Sequence, residues 1–280
     1  MKYKIEKNTV QETLIIPLYA RKVCSELYPD LYRDETAVRL IGEIDYDFSQ
    51  AEKNARGLMQ RFGSLEVAMR QNDLAFEVRD YLKDHPNGAV VNLGCGLDST
   101  GRACDNGSCS IYNLDFPDVI AVRNELLPAG EREKNIPCDL NDTAWFSQID
   151  ASKGAVFFAS GVFYYFLTEQ VKALVQAMAE AFPGGVLVFD GANRTAVKMI
   201  SKTWLKSAKI QNVGAYFAVT DAPKEIGPWD SRLRVTSRGY MLGYSDLKAP
   251  SVSGFFRFLA RVGDGMMKMQ IVKIGFGGKQ

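Results

Sequence analysis

From residue 89 onward, short apolar runs alternate with helical stretches, and that alternation restricts the chain to few architectures. AVVNL (89–93), SIYNLDF (110–116), NIPCDL (135–140), GAVFFAS (154–160) and VLVFDGA (186–192) have strand length and lie between turn-forming residues. PDVIAVRNELL (117–127) and TEQVKALVQAMAEAF (168–182) carry apolar residues at helical spacing. Pro117 suits a first turn and Thr168 suits a cap. Strands separated by helices predict an α/β fold, a mostly parallel twisted sheet with helices on both faces.

The first 85 residues read as a helical N-terminal extension. The pattern predicts helices over 11–28, where Pro17 starts or kinks the helix, over 34–44 and over 63–84. Leu65, Ala68, Met69, Phe76, Val78, Tyr81 and Leu82 mark the buried face of the third. It stops at His85-Pro86-Asn87-Gly88. Beyond residue 192 the pattern predicts a helix over 193–208, strands over 232–242 and 266–276, and a helix over 255–263. The expected organisation is a single domain over 1–280: the extension (1–85), a ligand-binding core (86–192) and substrate-side and C-terminal sheet elements (193–280).

Composition removes several function classes. Lys plus Arg is 34 against 33 for Asp plus Glu, so no charge excess points to nucleic acid or an anionic membrane surface. No apolar run reaches the roughly eighteen residues of a membrane span, and the N-terminus lacks a signal-peptide core; a cytoplasmic location is expected. The five cysteines are irregularly spaced, no CxxC occurs, and His85 is the sole histidine. That argues against a disulfide framework and a metal site, and His85 reads as a turn residue.

Chemistry concentrates in AVVNLGCGLDSTG (89–101). In an open parallel sheet, ligands sit beyond the carboxyl ends of the strands. Gly94-Cys95-Gly96 ends the first strand, where glycine lets a ligand approach closely. Asp115 ends the second strand, followed by Phe116, and can accept hydrogen bonds from both hydroxyls of a ribose. A dinucleotide site wants G-x-G-x-x-G; here Ser99 replaces the third glycine, and Asp98 would repel a pyrophosphate. A nucleoside cofactor without phosphate, S-adenosylmethionine, fits better.

These residues also resemble a family. VVNLGCGLDST is similar to the "VNLGAGLDT" segment of leucine carboxyl methyltransferases, which include bacterial O-methyltransferases linked to polyketide biosynthesis. IPLYARK, IYNLDFPDVIAVRNELLP, IPCDLND, ASGVFYYFLTEQ and FPGGVLVFDGAN follow in the family's order, over about residues 11–192. The resemblance implies a class I methyltransferase, Rossmann-like fold and S-adenosylmethionine as cofactor, with S-adenosylhomocysteine as product. It assigns Arg70 to the cofactor's carboxylate, a task suited to a forked guanidinium. It assigns Gly94, Cys95 and Gly96 to the turn, Asp115 and Phe116 to the ribose edge, and Asp139 and Leu140 to the adenine. Ser160 stands where the family carries a glutamate. Arg21-Lys22 lies in the segment that covers the site.

The implied activity is O-methylation of a carboxylate or hydroxyl on a small molecule. A carboxylate is ionised at neutral pH, whereas a phenol profits from a base. With no histidine in the site segments, the residues lean toward a carboxylate or an acidic hydroxyl. Tyr164 and Tyr165 are candidates for the acceptor side, and Trp204 and Trp229 for the acceptor wall. Two alternatives stay open: a catalytically silent cofactor-binding or interaction protein, and a nicotinamide-dependent oxidoreductase.

Overall fold

The computed structural model describes residues 2–5, 14–55, 57–200 and 216–277. Its core is one seven-stranded sheet: β1 (Ala89–Leu93), β2 (Ser110–Asp115), β3 (Glu133–Pro137), β4 (Ala155–Ala159), β5 (Val186–Gly191), β6 (Leu233–Gly239) and β7 (Gln270–Phe276). The spatial order is β3-β2-β1-β4-β5-β7-β6. The first five strands pair in parallel, and β7 runs antiparallel between β5 and β6. The order reverses beside β1, and there the ends of β1 and β4 open a crevice.

Side chains of the central strands alternate between two buried layers. Val90, Ile111, Val156, Phe158 and Val188 face one layer, with α4 (Leu58–Asp84) and α10 (Gly254–Met266). Val91, Leu114, Phe157, Leu187 and Phe189 face the other, with Trp145 and α7 (Thr168–Ala181). Both faces being covered explains why these strands read as unbroken apolar runs.

The N-terminal segment supplies α1 (Ile15–Leu27), α2 (Glu35–Glu43) and α3 (Ser49–Ala55). Residues 11–13 of the expected first helix lie outside the described residues. Pro17 occupies the first turn of α1, where backbone N–H groups have no helical acceptor, so it starts the helix without breaking it. Asp34 caps α2, its carboxylate accepting from the Ala37 N–H at 2.8 Å.

Several boundaries differ from the sequence expectation, each for a physical reason. β3 is an edge strand and starts at Glu133; pairing with β2, not hydrophobicity, defines it. The predicted cap Thr168 is instead the first residue of α7. The Gln170 side-chain carbonyl accepts from the Leu167 N–H at 2.8 Å and closes that end. Phe76, expected in the core, is 46% exposed and packs edge-on against Tyr244 at the surface. α4 is buried on so much of its circumference that apolar spacing misled: Gln71, Asp73 and Glu77 are buried too. The strand expected from Met266 begins only at Gln270, because α10 continues through Met266. α8 (Arg194–Ile200) covers the described part of the helix expected over 193–208. The short helices α5 (Thr100–Ala103) and α9 (Ala222–Ile226) had no periodic signal.

One buried arginine fixes the β1 turn to the sheet edge. Arg123, 1% exposed on α6 (Pro117–Leu126), donates through Nη1 to the carbonyls of Gly96 at 2.9 Å and Asp98 at 2.7 Å. Its Nε donates to Asn135 Oδ1 at 3.2 Å, and Glu133 lies 3.6 Å from Nη2. Arg123→Ala leaves two carbonyls without their donor, whereas Glu133 keeps Arg102, whose Nε donates to it at 3.0 Å. It is expected to lower unfolding stability by about 2–4 kcal/mol in urea titrations; a loss below about 1 kcal/mol contradicts this role.

Candidate active site

Beyond the carboxyl ends of β1, β2 and β4 lies a cavity of about 530 Å³. Of the residues anticipated for cofactor and acceptor, Arg70, Gly94, Cys95, Gly96, Asp115, Phe116, Leu140, Ser160, Tyr164 and Tyr165 all line it. Gly94 and Gly96 have φ of +65° and +47°, a region other residues enter only under strain. A Cβ on Gly94 would stand 2.6 Å from a Val162 methyl. The Cys95 thiol is buried, and burial raises its pKa above the ordinary value, so this cysteine is a packing residue.

Asp115 faces the turn. Its Oδ2 accepts from the Gly96 N–H at 2.8 Å and its Oδ1 from the Phe116 N–H at 2.8 Å. Burial pushes the carboxyl up, and the two N–H groups pull it back. Both oxygens keep lone pairs for the ribose diol the sequence assigns to them. Phe116, 43% exposed, lines the same end, with Cys138, Leu140 and Asn141 opposite. Asp139 is the exception. It is exposed, it does not line the cavity, and its carboxylate accepts from the backbone and side-chain N–H groups of Asn141, both at 2.9 Å. After Cys138, whose N–H donates to the Asp115 carbonyl at 2.8 Å, the chain turns over Asp139–Asp142, which leaves Leu140 and Asn141 lining the cavity beside the expected adenine.

At the other end stands Arg70. α4 runs into β1 through the turn at His85–Gly88, so its N-terminal half lies over the carboxyl ends of the strands. Gly63, Glu66 and Arg70 line the cavity from that half. Arg70 Nη1 lies 3.1 Å from Asp190 Oδ2, and Asp190 Oδ1 accepts from the Gly161 N–H at 2.6 Å. Burial works against the guanidinium's charge, Asp190, Tyr240 and Tyr164 together outweigh it, and its pKa lies above the ordinary value. Arg70 Nε and Ser160 Oγ are buried without a hydrogen-bond partner. Buried polar atoms are rarely left unpaired, and these two border a cavity. An amino-acid end supplies what they lack, a carboxylate for the guanidinium and an ammonium for the hydroxyl. The residues present therefore fit S-adenosylmethionine.

The roof is α1. Leu14, Ile16, Pro17 and Arg21 line the cavity. Arg21, 2% exposed, donates through Nη1 to Asp34 Oδ2 at 3.0 Å and Asp98 Oδ1 at 3.3 Å, and through Nη2 to the Leu97 carbonyl at 2.9 Å. Asp98 also accepts from Asn92 Nδ2 at 3.2 Å and the Thr100 N–H at 2.9 Å. Its charge, read from sequence as turned toward a ligand phosphate, is thus neutralised within the fold. Lys22 points away, to Glu26 at 2.8 Å.

Tyr164 is buried beside Asp190, and burial followed by that carboxylate raises its pKa well above the ordinary value. Tyr165 is 43% exposed at the cavity mouth. Trp204 lies outside the described residues. Trp229 does not line the cavity: it packs near Phe217, 6.4 Å between ring centroids, and its carbonyl accepts from Gln176 at 2.7 Å. His85 stacks on Tyr81 at 4.2 Å, at the opposite end of the sheet. Sequence reasoning missed Glu66, Asp190 and Tyr240. The first sits one helical turn before Arg70, on the same face. Asp190 is an acid at the carboxyl end of a strand, a readable signal. Tyr240 follows β6 in a turn and gave none.

Comparison with known proteins bears on the family and the fold. The leucine carboxyl methyltransferase family pattern matches residues 17–179. The chain is 27% identical over 182 residues to the tetracenomycin polyketide synthesis O-methyltransferase TcmP of Streptomyces glaucescens, a match spanning 65% of this chain and 65% of that protein. It is 25% identical over 280 residues to the S-adenosyl-L-methionine-dependent methyltransferase dpfgK of Gibberella zeae, covering 94% and 92%. Among solved structures, a DUF574 family protein from Streptomyces avermitilis superimposes with a TM-score of 0.58 at 11% identity, covering 92% and 97%. The plantazolicin methyltransferase BpumL, solved with S-adenosylhomocysteine, gives 0.51 at 11% identity, covering 96% and 99%.

Asp115→Ala removes the acid at the ribose end and the acceptor for two N–H groups. S-adenosylhomocysteine should bind at least about tenfold more weakly by calorimetric titration. Equal affinity in variant and parent refutes the assignment.

Proposed function

The chain belongs to the leucine carboxyl methyltransferase family, and on that footing we propose that it is an O-methyltransferase acting on a carboxylate or hydroxyl of a small molecule. Its fold is the class I methyltransferase fold and its cofactor is S-adenosylmethionine. Both curated relatives are named methyltransferases, one of them an O-methyltransferase. Among the described residues no helix is long and apolar enough to cross a membrane, and no cluster of three metal-ligating side chains occurs.

The observation that carries the reading to an oxygen acceptor is Glu66. It lines the cavity half-buried, and among the described residues no group donates a hydrogen bond to it. Burial pushes its carboxyl up to about 7, against the pull of the Arg70 guanidinium and with a further push from Asp264. Tyr164 and Tyr240 line the same cavity, near enough that burial and, with it, the charge of Glu66 push their hydroxyls up. A carboxyl poised near neutrality is suited to taking a proton from a hydroxyl. A carboxylate acceptor would meet it as a like charge, so Glu66 favours the hydroxyl of the two.

The division of labour follows. When bound, the cofactor supplies an electrophilic methyl group on a sulfonium. Asp115 and the glycine turn hold the nucleoside, and Arg70 and Ser160 hold the amino-acid end. Tyr164 and Tyr165 border the acceptor space. Glu66 receives the acceptor's proton on its carboxylate as the acceptor oxygen gains the methyl group. The enclosing α1 roof keeps water from competing.

A screen of phenols, enols and aryl carboxylates, read by S-adenosylhomocysteine formation, tests the reading. Hydroxyl acceptors should be turned over. Because Glu66 must be ionised to act, the rate should fall about tenfold per pH unit below about pH 7. Glu66→Gln should lower kcat by at least about tenfold and remove that acid limb. Turnover of carboxylates alone, or an acid limb that survives in the variant, contradicts the role of Glu66. Cofactor binding with no turnover of any acceptor favours a catalytically silent protein.

A further inference from the structure

The amino-acid end of the cofactor is a zwitterion, and a site that holds it needs both a cation and a centre of negative charge. Ser160 supplies a hydroxyl, not a charge. The buried acid nearest that end is Asp190, the penultimate residue of β5, 3% exposed. It engages Arg70 through Nη1 and the Gly161 turn through its N–H. The other edge of the guanidinium, Nε with Nη2, makes no hydrogen bond among the described residues, and Nε is buried.

We propose that Asp190 is the positioning residue of the amino-acid end: by holding Nη1 it turns the Nε–Nη2 edge of Arg70 to the cofactor's carboxylate, and it supplies the negative charge that Ser160 does not. A planar guanidinium offers two parallel N–H bonds from its Nη1–Nη2 end or its Nε–Nη2 edge; Asp190 occupies Nη1, which leaves the second, and a fork already pinned at its third corner loses little freedom when it binds. The packing fixes the pose further. Gly161 has φ of +70°, and a Cβ there would stand 2.9 Å from Arg70 Nη1 and 3.1 Å from Nη2. The guanidinium therefore lies flat on a glycine that Asp190 itself holds in place. Ser160 Oγ, also unpartnered, is left for the ammonium.

This inference rests on the cofactor reading above. Calorimetric titration with two probes separates the two. S-adenosylhomocysteine carries the whole amino-acid end; 5′-methylthioadenosine carries the nucleoside and a thioether without it. The parent should bind the first at least about tenfold more tightly than the second. Asp190→Asn should weaken S-adenosylhomocysteine by at least about tenfold and leave 5′-methylthioadenosine within about twofold. Unchanged S-adenosylhomocysteine affinity overturns the proposal. So does equal weakening of both probes, which reports general damage. Should that variant not fold, Asp190→Glu keeps the charge but shifts it by one methylene. It should still weaken S-adenosylhomocysteine alone, by about threefold or more; parental affinity there refutes the positioning role. A parent that binds neither probe overturns the cofactor reading, and with it the assignment of Asp190.

Discussion

A carboxylate taken out of water is costly unless a cation and hydrogen bonds stand against it, and Asp98 finds its cation in Arg21. The pair sits just past the glycine turn. Asn92 from β1 and the Thr100 N–H complete the shell of Asp98. Arg123 takes the carbonyls of Gly96 and Asp98 from the opposite side. Two guanidiniums thus clamp one loop, and the loop is the floor of the cavity. With its outward-facing groups occupied, the turn presents Gly94, Gly96 and the Asp115 carboxylate to the ligand in a fixed pose. The same Arg21 brings α1 down as the roof.

How legible this was depended on where each residue stands. The five parallel strands announced themselves because sheets covered on both faces need continuous apolar runs. The glycine turn was readable because its backbone angles exclude other residues. Legibility failed at edges and ends. β3 borders solvent and reads by pairing, which sequence does not display. The α7 cap depends on a side chain three residues inside the helix. α4 is buried on most sides, so period alone could not place Phe76. Within the site, Arg70 looks like any helix arginine until the family resemblance points to it. Asp139 was carried over by position in a segment whose local turn directs its carboxylate elsewhere. Glu66 and Asp190 are acids whose meaning comes from what they do or do not touch, a property of the folded state.

The cavity divides into two electrostatic regimes. At the nucleoside end, Asp115 is steadied by backbone N–H groups, and neutral or apolar side chains complete the wall. At the far end, the cation Arg70 meets the acids Asp190 and Glu66, with Tyr164 and Tyr240 lining the same cavity. Glu66 and Arg70 lie one turn apart on one helix, a rise of about 6 Å over four residues. The group proposed to take a proton and the group that anchors the cofactor are therefore spaced by covalent helix geometry. Loop motion cannot change that separation.

The Arg21–Asp98 contact joins residues 77 positions apart. The helix that roofs the pocket precedes β1 in the chain and has no floor to close on until β1 and its turn are in place. Non-local contacts of this kind carry a loop-closure cost before they are rewarded. Arg21 also holds Asp34, only 13 positions away. The two acids that share Arg21 therefore differ in reach: Asp34 belongs to the roof's own segment, whereas Asp98 ties the roof to the glycine turn, and the cofactor chamber exists only where the two segments meet.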